Sequence, residues 1–160
     1  VWIMVSVLEM FCNISIINRK KINAFIGSAG KPGKMIDSQH KELIDKINKL
    51  LDSCETSKDK VVSVKTLDYL ADYTEFHFGE EEKLQEEITY PGVEKHKEEH
   101  EKLRQVVRDL YNMLEEEEGP SSAFVEAVHK NVVEWLYNHI KTFDRSVAEY
   151  KFMHENGERL

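Results

Sequence analysis

The chain has 160 residues, 41% apolar and 32% charged, with Lys plus Arg at 22 against Asp plus Glu at 30 and a net charge of −8. That length suits one domain with one core, and the composition excludes both a disordered polymer and a multi-span membrane protein. Surplus negative charge repels a phosphate backbone, so nucleic acid is not an expected partner.

Residues 1–17, VWIMVSVLEMFCNISII, form an apolar stretch followed by the basic run Asn18-Arg19-Lys20-Lys21 and a Gly/Pro-rich connector at 27–33. A spanning helix needs about 18 to 20 apolar residues. This stretch is slightly short and holds Glu9 and Asn13. A signal peptide places its positive charges before the apolar region, whereas here they come after it. Residues 1–34 are therefore expected to be a packing arm outside the domain. The alternatives are a membrane anchor, or an extension foreign to the domain, since Met35 stands directly before the first well-patterned helix.

From Met35 onward the pattern is helical. Asp37 and Ser38 are helix-start residues, and Ile36, His40, Leu43, Ile44, Ile47, Leu50 and Leu51 recur at spacings of three and four, predicting a first helix over about 37–53. The polar run 53–60 predicts a loop. Val62, Val64, Leu67, Leu70, Tyr73, Phe76, His77, Glu81 and Leu84 then mark a long second helix to about Glu87, broken by Tyr90-Pro91-Gly92. A third helix is expected over about 93–115, with His96, His100, Leu103, Val107, Leu110 and Leu114 on one stripe. Gly119-Pro120 stops it, and Ser121 or Ser122 can cap a fourth over about 122–148 that carries Phe124, Val128, Val132, Trp135, Leu136, His139, Ile140 and Phe143. Four amphipathic helices with short loops imply an all-α fold, an antiparallel up-down-up-down four-helix bundle over 35–150 with an N-terminal arm and a polar tail at 151–160. Cys12 and Cys54 form no CxxC pair, which leaves zinc-ribbon and disulfide frameworks unsupported and makes a reducing cytoplasm the expected location.

On all four helices the apolar stripe contains a histidine or carboxylate where an aliphatic residue would be expected. Burying such groups is costly unless they are paired or coordinated. His77 and Glu81 are four apart, as are His96 and His100, so each pair projects from one helix face and can meet one metal centre. His139 and Asp144 are five apart, or about 140° round an ideal helix, so the pair is expected not to bind side by side. An Asp offset in this way is expected to lie across two metals, one carboxylate oxygen to each. His40 supplies the remaining helix. Five imidazoles and two carboxylates fit a dinuclear site better than a mononuclear one. Nitrogen-rich ligation favours iron, zinc, copper or nickel, and bridging carboxylates belong to di-iron and di-manganese bundles. The charged runs around Glu80, Glu82 and Lys83 and around Lys97, Glu98 and Glu99 are read as solvated faces without a role. His129 is expected to be peripheral, and His154 to lie in a disordered tail.

The runs Ile36-Asp37-Ser38-Gln39-His40-Lys41, His77-Phe78-Gly79-Glu80-Glu81-Glu82, Tyr90-Pro91 followed by His96-x3-His100, and Trp135-Leu136-x2-His139-x4-Asp144 resemble the signature of the hemerythrins, the bacterial branch in particular, over about 35–150. The resemblance implies two iron ions, bridged by carboxylates and an oxo or hydroxo group. His96, His100 and His139 would hold one iron, His40 and His77 the other, and Glu81 and Asp144 would bridge them. It further implies reversible dioxygen binding for storage, delivery or buffering, without enzymatic turnover, in a pocket whose apolar walls keep water away. Leu136, one turn before His139, is the first candidate wall, with Phe78, Leu103, Trp135, Ile140 and Phe143 beside it. The alternatives are a di-iron enzyme acting on nitric oxide or peroxide and an oxygen or redox sensory module. Two departures stand out. Residues 18–34 lack the tryptophan usual in the arm of bacterial members, and Gln85 stands where methionine is common, a polar residue that would either admit water or point outward.

Overall fold

A computed structural model describes residues 34–157; the expectations for an arm, an anchor or a foreign extension at 1–33 lie outside the described residues. Among them the chain is helical, with no strand, and forms four antiparallel rods: α1 (Lys34–Thr56), α2 (Lys60–Glu87), α3 (Val93–Glu116) and a composite α4 spanning 122–156. No helix of the described residues is long and apolar enough to cross a membrane.

The expected loop at 53–60 shrinks to 57–59, because hydroxyls supply what the end of α1 needs. Thr56 Oγ1 donates to the Asp52 carbonyl at 2.7 Å and Ser57 Oγ to that of Ser53 at 3.0 Å, the Ser53 carbonyl also accepting from the Ser57 and Lys58 N–H groups, which ties the chain leaving α1 back onto its last turn. Asp59 then caps α2, its carboxylate accepting from the Val61 N–H at 2.8 Å. The opposite loop closes onto this one: a β-carbon at Gly119 would lie 2.7 Å from the Lys58 carbonyl oxygen, so only glycine fits there.

At the other end of the bundle α2 stops in a Schellman turn. The Thr89 N–H reaches the Glu86 carbonyl at 3.1 Å and the Tyr90 N–H reaches that of Gln85 at 2.8 Å, with Thr89 held at φ 54°. A β-branched residue is strained in that left-handed region by about 1–2 kcal/mol. Thr89→Gly is therefore expected to stabilise the fold by about 1 kcal/mol in a denaturant melt, with part of the relief offset by the freer unfolded chain. The one side-chain bond to this residue, from the Tyr150 hydroxyl to the Thr89 carbonyl at 3.3 Å, survives the change.

The core divides along the bundle axis. Leu50, Leu67, Leu70, Leu110, Leu114, Phe124 and Val128 fill the half nearest the 57–59 loop, all essentially inaccessible, whereas the other half buries His40, His77, Glu81, His96, His100, His139 and Asp144. Each buried aliphatic or aromatic side chain contributes about 1.5–3 kcal/mol, so the apolar half can carry the cost of the polar one. On α2 the inward stripe is Ser63, Leu67, Leu70, Thr74, His77, Phe78, Glu81 and Gln85, while Val62 and Phe76, expected inside, are exposed. Apolarity misplaces the stripe there because Ser63 and Thr74 occupy inward positions; Thr74 Oγ1 returns its hydrogen bond to the Leu70 carbonyl at 2.8 Å.

The fourth rod also runs past its expected end. The segment Arg145–Asn156 is helical, so His154 sits on a helix, stacked 6.0 Å from Tyr150, and is not part of a disordered tail. Tyr150 packs edge-on against Tyr90 at 5.4 Å and Lys151 pairs with Glu155 at 3.7 Å, which carries the helix on.

Candidate metal centre

All four rods contribute to one buried pocket: His40 from α1, His77 and Glu81 from α2, His96 and His100 from α3, and His139 and Asp144 from α4, none more than 7% exposed. Their donor atoms fall into two groups, His40, His77, Glu81 and Asp144, and Glu81, His96, His100 and His139, the atoms of each lying within 4.8 Å of one another.

The carboxylates divide their oxygens between the two sides. Glu81 Oε1 lies 3.8 Å from His40 Nε2 and 3.5 Å from His77 Nε2, while Oε2 lies 3.7 Å from His96 Nε2 and 3.3 Å from His100 Nε2. Asp144 does the same, with Oδ2 at 2.9 Å from His40 Nε2 and Oδ1 at 3.2 and 3.0 Å from the Nε2 atoms of His96 and His139.

That last distance overturns the expectation that His139 and Asp144 cannot meet. α4 is not a uniform α-helix: Val128–Val133 and Ile140–Asp144 are wider π-helical segments, with the Glu134 N–H bonded to the His129 carbonyl and the Arg145 N–H to that of Ile140. A turn closed by five-residue bonds brings residue i+5 back over residue i. Asp144 thus lies beside His139 and still spans both groups. His129, expected to be peripheral, is buried, and burial lowers its pKa, but it belongs to neither group.

Burial works against ionising Glu81 and Asp144, but the surrounding imidazoles outweigh it and hold Glu81 down to about 2 and Asp144 well below the usual carboxylate range. Burial likewise opposes a charge on His40, yet its hydrogen bond to Asp144 and the nearby Glu81 carboxylate raise it to about 10. At His77 burial prevails and favours the neutral ring, whose free lone pair is what a metal needs. His77 Nε2, His100 Nε2, Glu81 Oε2 and Asp144 Oδ1 are all buried without a hydrogen-bond partner. Each such orphan costs about 1–3 kcal/mol, and a pair of cations between the two groups would satisfy all four together. Imidazole nitrogens together with ionised carboxylates are a donor set that fits divalent transition metals.

Three outer partners were not legible in the spacing. Gln39 Oε1 lies 2.8 Å from His77 Nδ1, Glu82 Oε1 lies 2.8 Å from His100 Nδ1, and the Gln85 amide lies 3.0 Å from His96 Nδ1. Glu82 is therefore no idle member of a solvated face, and Gln85 does not point outward. Such partners set which ring nitrogen carries the proton and leave the other for a metal. Rings pack round the rest: Phe78 stacks on His100 at 3.7 Å, and His139 lies between Trp135 at 4.3 Å and Phe143 at 5.4 Å.

Comparison with known proteins agrees with this geometry. The family model described as Hemerythrin HHE cation binding domain matches residues 32–150. The bacteriohemerythrin of Methylococcus capsulatus is 35% identical over 109 residues, covering 68% of this chain and 80% of that protein. The bacteriohemerythrin of Stenotrophomonas maltophilia is 31% identical over 122 residues, covering 76% of each. A solved structure of a leucine-to-phenylalanine mutant superposes with a TM-score of 0.61 at 32% identity, covering 71% of this chain and 84% of that one.

Proposed function

The chain belongs to the hemerythrin family, and on that premise we propose that it is a non-enzymatic protein that binds dioxygen reversibly at a pair of iron ions. The observation that carries this reading is the division of both carboxylates, Glu81 and Asp144, between two sets of buried imidazoles. His40 and His77 would hold one iron, His96, His100 and His139 the other, and the two carboxylates would bridge them. The iron pair, when bound, would supply the electrons that dioxygen takes up on binding and would recover them on its release. His40 and His77 offer one imidazole fewer than the opposite set, which leaves room for a small ligand on their side.

The remaining residues keep water and protons from that ligand. Phe78, Leu136 and Ile140 are buried, and Leu136, one turn before His139, is the proposed pocket wall. Gln85, the polar residue that stands where methionine is common, is fully buried and engaged with His96, so its side chain does not open a path to solvent. A cytoplasmic location is part of the same proposal, supported by the buried free thiol of Cys54.

Visible spectra of the anaerobically iron-loaded chain, recorded before oxygen, after oxygen and after its removal, test the proposal, with iron counted per chain. Two irons and a band that appears and disappears with oxygen are expected. Two irons with an irreversible band, or none, would sink the carrier reading.

A further inference from the structure

Resting on the metal-centre reading above, we infer that Gln85 is a positioning residue for His96, its side-chain carbonyl holding the proton on the ring's Nδ1 so that the Nε2 lone pair faces the metal pair. Both residues are fully inaccessible to solvent. The Gln85 side-chain nitrogen, Nε2, lies 3.0 Å from His96 Nδ1, while the oxygen of the same amide is buried without a partner, so the inference turns the amide over.

The oxygen and nitrogen of a glutamine amide exchange places by a half-turn about its last side-chain bond, so the chemistry of the partner decides which faces it. An imidazole that gives its Nε2 lone pair to a cation carries its proton on Nδ1 and needs an acceptor there. With the carbonyl turned to His96, the ring N–H donates to it and the orphaned oxygen gains its partner. A methionine at this place would offer only a weakly accepting sulfur, and a glutamate a stronger, charged acceptor.

The backbone fixes where this amide starts from. The Gln85 main-chain carbonyl accepts from Tyr90 at 2.8 Å in the Schellman turn, and four residues past Gly92 the His96 N–H bonds the Gly92 carbonyl at 3.0 Å. The end of α2 and the start of α3 are thus locked by the same connection that joins Gln85 to His96. His100 has the Glu82 carboxylate in the corresponding place and His77 the Gln39 carbonyl, so two of the three rings already meet an acceptor oxygen at Nδ1, and turning the Gln85 amide over gives His96 the same.

Zinc serves as the probe, on the full chain. Chelator competition is expected to show two ions bound by the wild type, with Gln85→Met weakening one of them about tenfold to a hundredfold and Gln85→Glu restoring it. Long-range proton–nitrogen spectra of the zinc-loaded wild type are expected to show His96 protonated at Nδ1, a readout that does not depend on any variant folding. A proton on Nε2, unchanged affinity in Gln85→Met, or a Gln85→Glu as weak as Gln85→Met would each overturn the inference. A wild type that takes up fewer than two zinc ions would instead overturn the metal-centre reading beneath it.

Discussion

His77→Ala is expected to bring the chain from two irons to one or fewer and to abolish the oxygen-dependent visible band. His77 is completely buried, its Nε2 lacks any hydrogen-bond partner, and burial keeps the ring neutral. Without it, His40 is the only imidazole left in its group with Glu81 and Asp144. Loss of an outer partner alone typically lowers metal affinity about 10–100-fold, and a direct ligand should cost more. The change also strands the Gln39 amide, now 2.8 Å from His77 Nδ1, at about 1–3 kcal/mol. Iron per chain by elemental analysis and the oxygen difference spectrum check the expectation, with far-ultraviolet circular dichroism to show that the bundle persists. Two irons and an unaltered band in the variant would remove His77 from the ligand set.

The seven residues of the pocket were visible in the sequence because their spacing follows from helix geometry. A four-residue step returns to the same face, so His77 with Glu81 and His96 with His100 announce themselves wherever the chain is α-helical. The same rule failed at His139 and Asp144, where the backbone has abandoned the 3.6-residue period. Nothing in the local sequence Ile140-Lys141-Thr142-Phe143 signals a wider turn; the five-residue step between two polar residues on a buried stripe was itself the clue. Gln39, Glu82 and Gln85 were illegible for another reason. Their partners lie 38, 18 and 11 residues away on other helices. Those pairings depend on how the rods face one another, and single-helix periodicity carries no record of it. The inward face of α2 was misread for want of the same information, since Ser63 and Thr74 look like surface residues until their surroundings are known.

Phe78→Ala is expected to lower the unfolding free energy by about 3–5 kcal/mol and to shorten the lifetime of the oxygenated form. Phe78 is 1% exposed and lies flat on His100, with ring centroids 3.7 Å apart and planes 8° from parallel. The Arg104 guanidinium sits 5.2 Å from the Phe78 ring centroid, and Arg104 itself is partly exposed and bonded to Glu75. The ring therefore separates a hydrated cation from a buried imidazole. Removing it creates a cavity beside polar groups, and a cavity of that kind fills with water where an apolar one stays dry. Water and protons reaching the centre favour irreversible oxidation over release of dioxygen, so the two effects should part in a graded series. Phe78→Leu replaces most of the lost volume and is expected to recover much of the stability and most of the oxygenated lifetime, while Phe78→Ala loses both. Denaturant melts and the decay of the oxygen-dependent band measure them separately. If Phe78→Ala loses stability but its band decays at the wild-type rate, Phe78 is core and nothing more, and the barrier to water must lie elsewhere, with Leu136 the next residue to change.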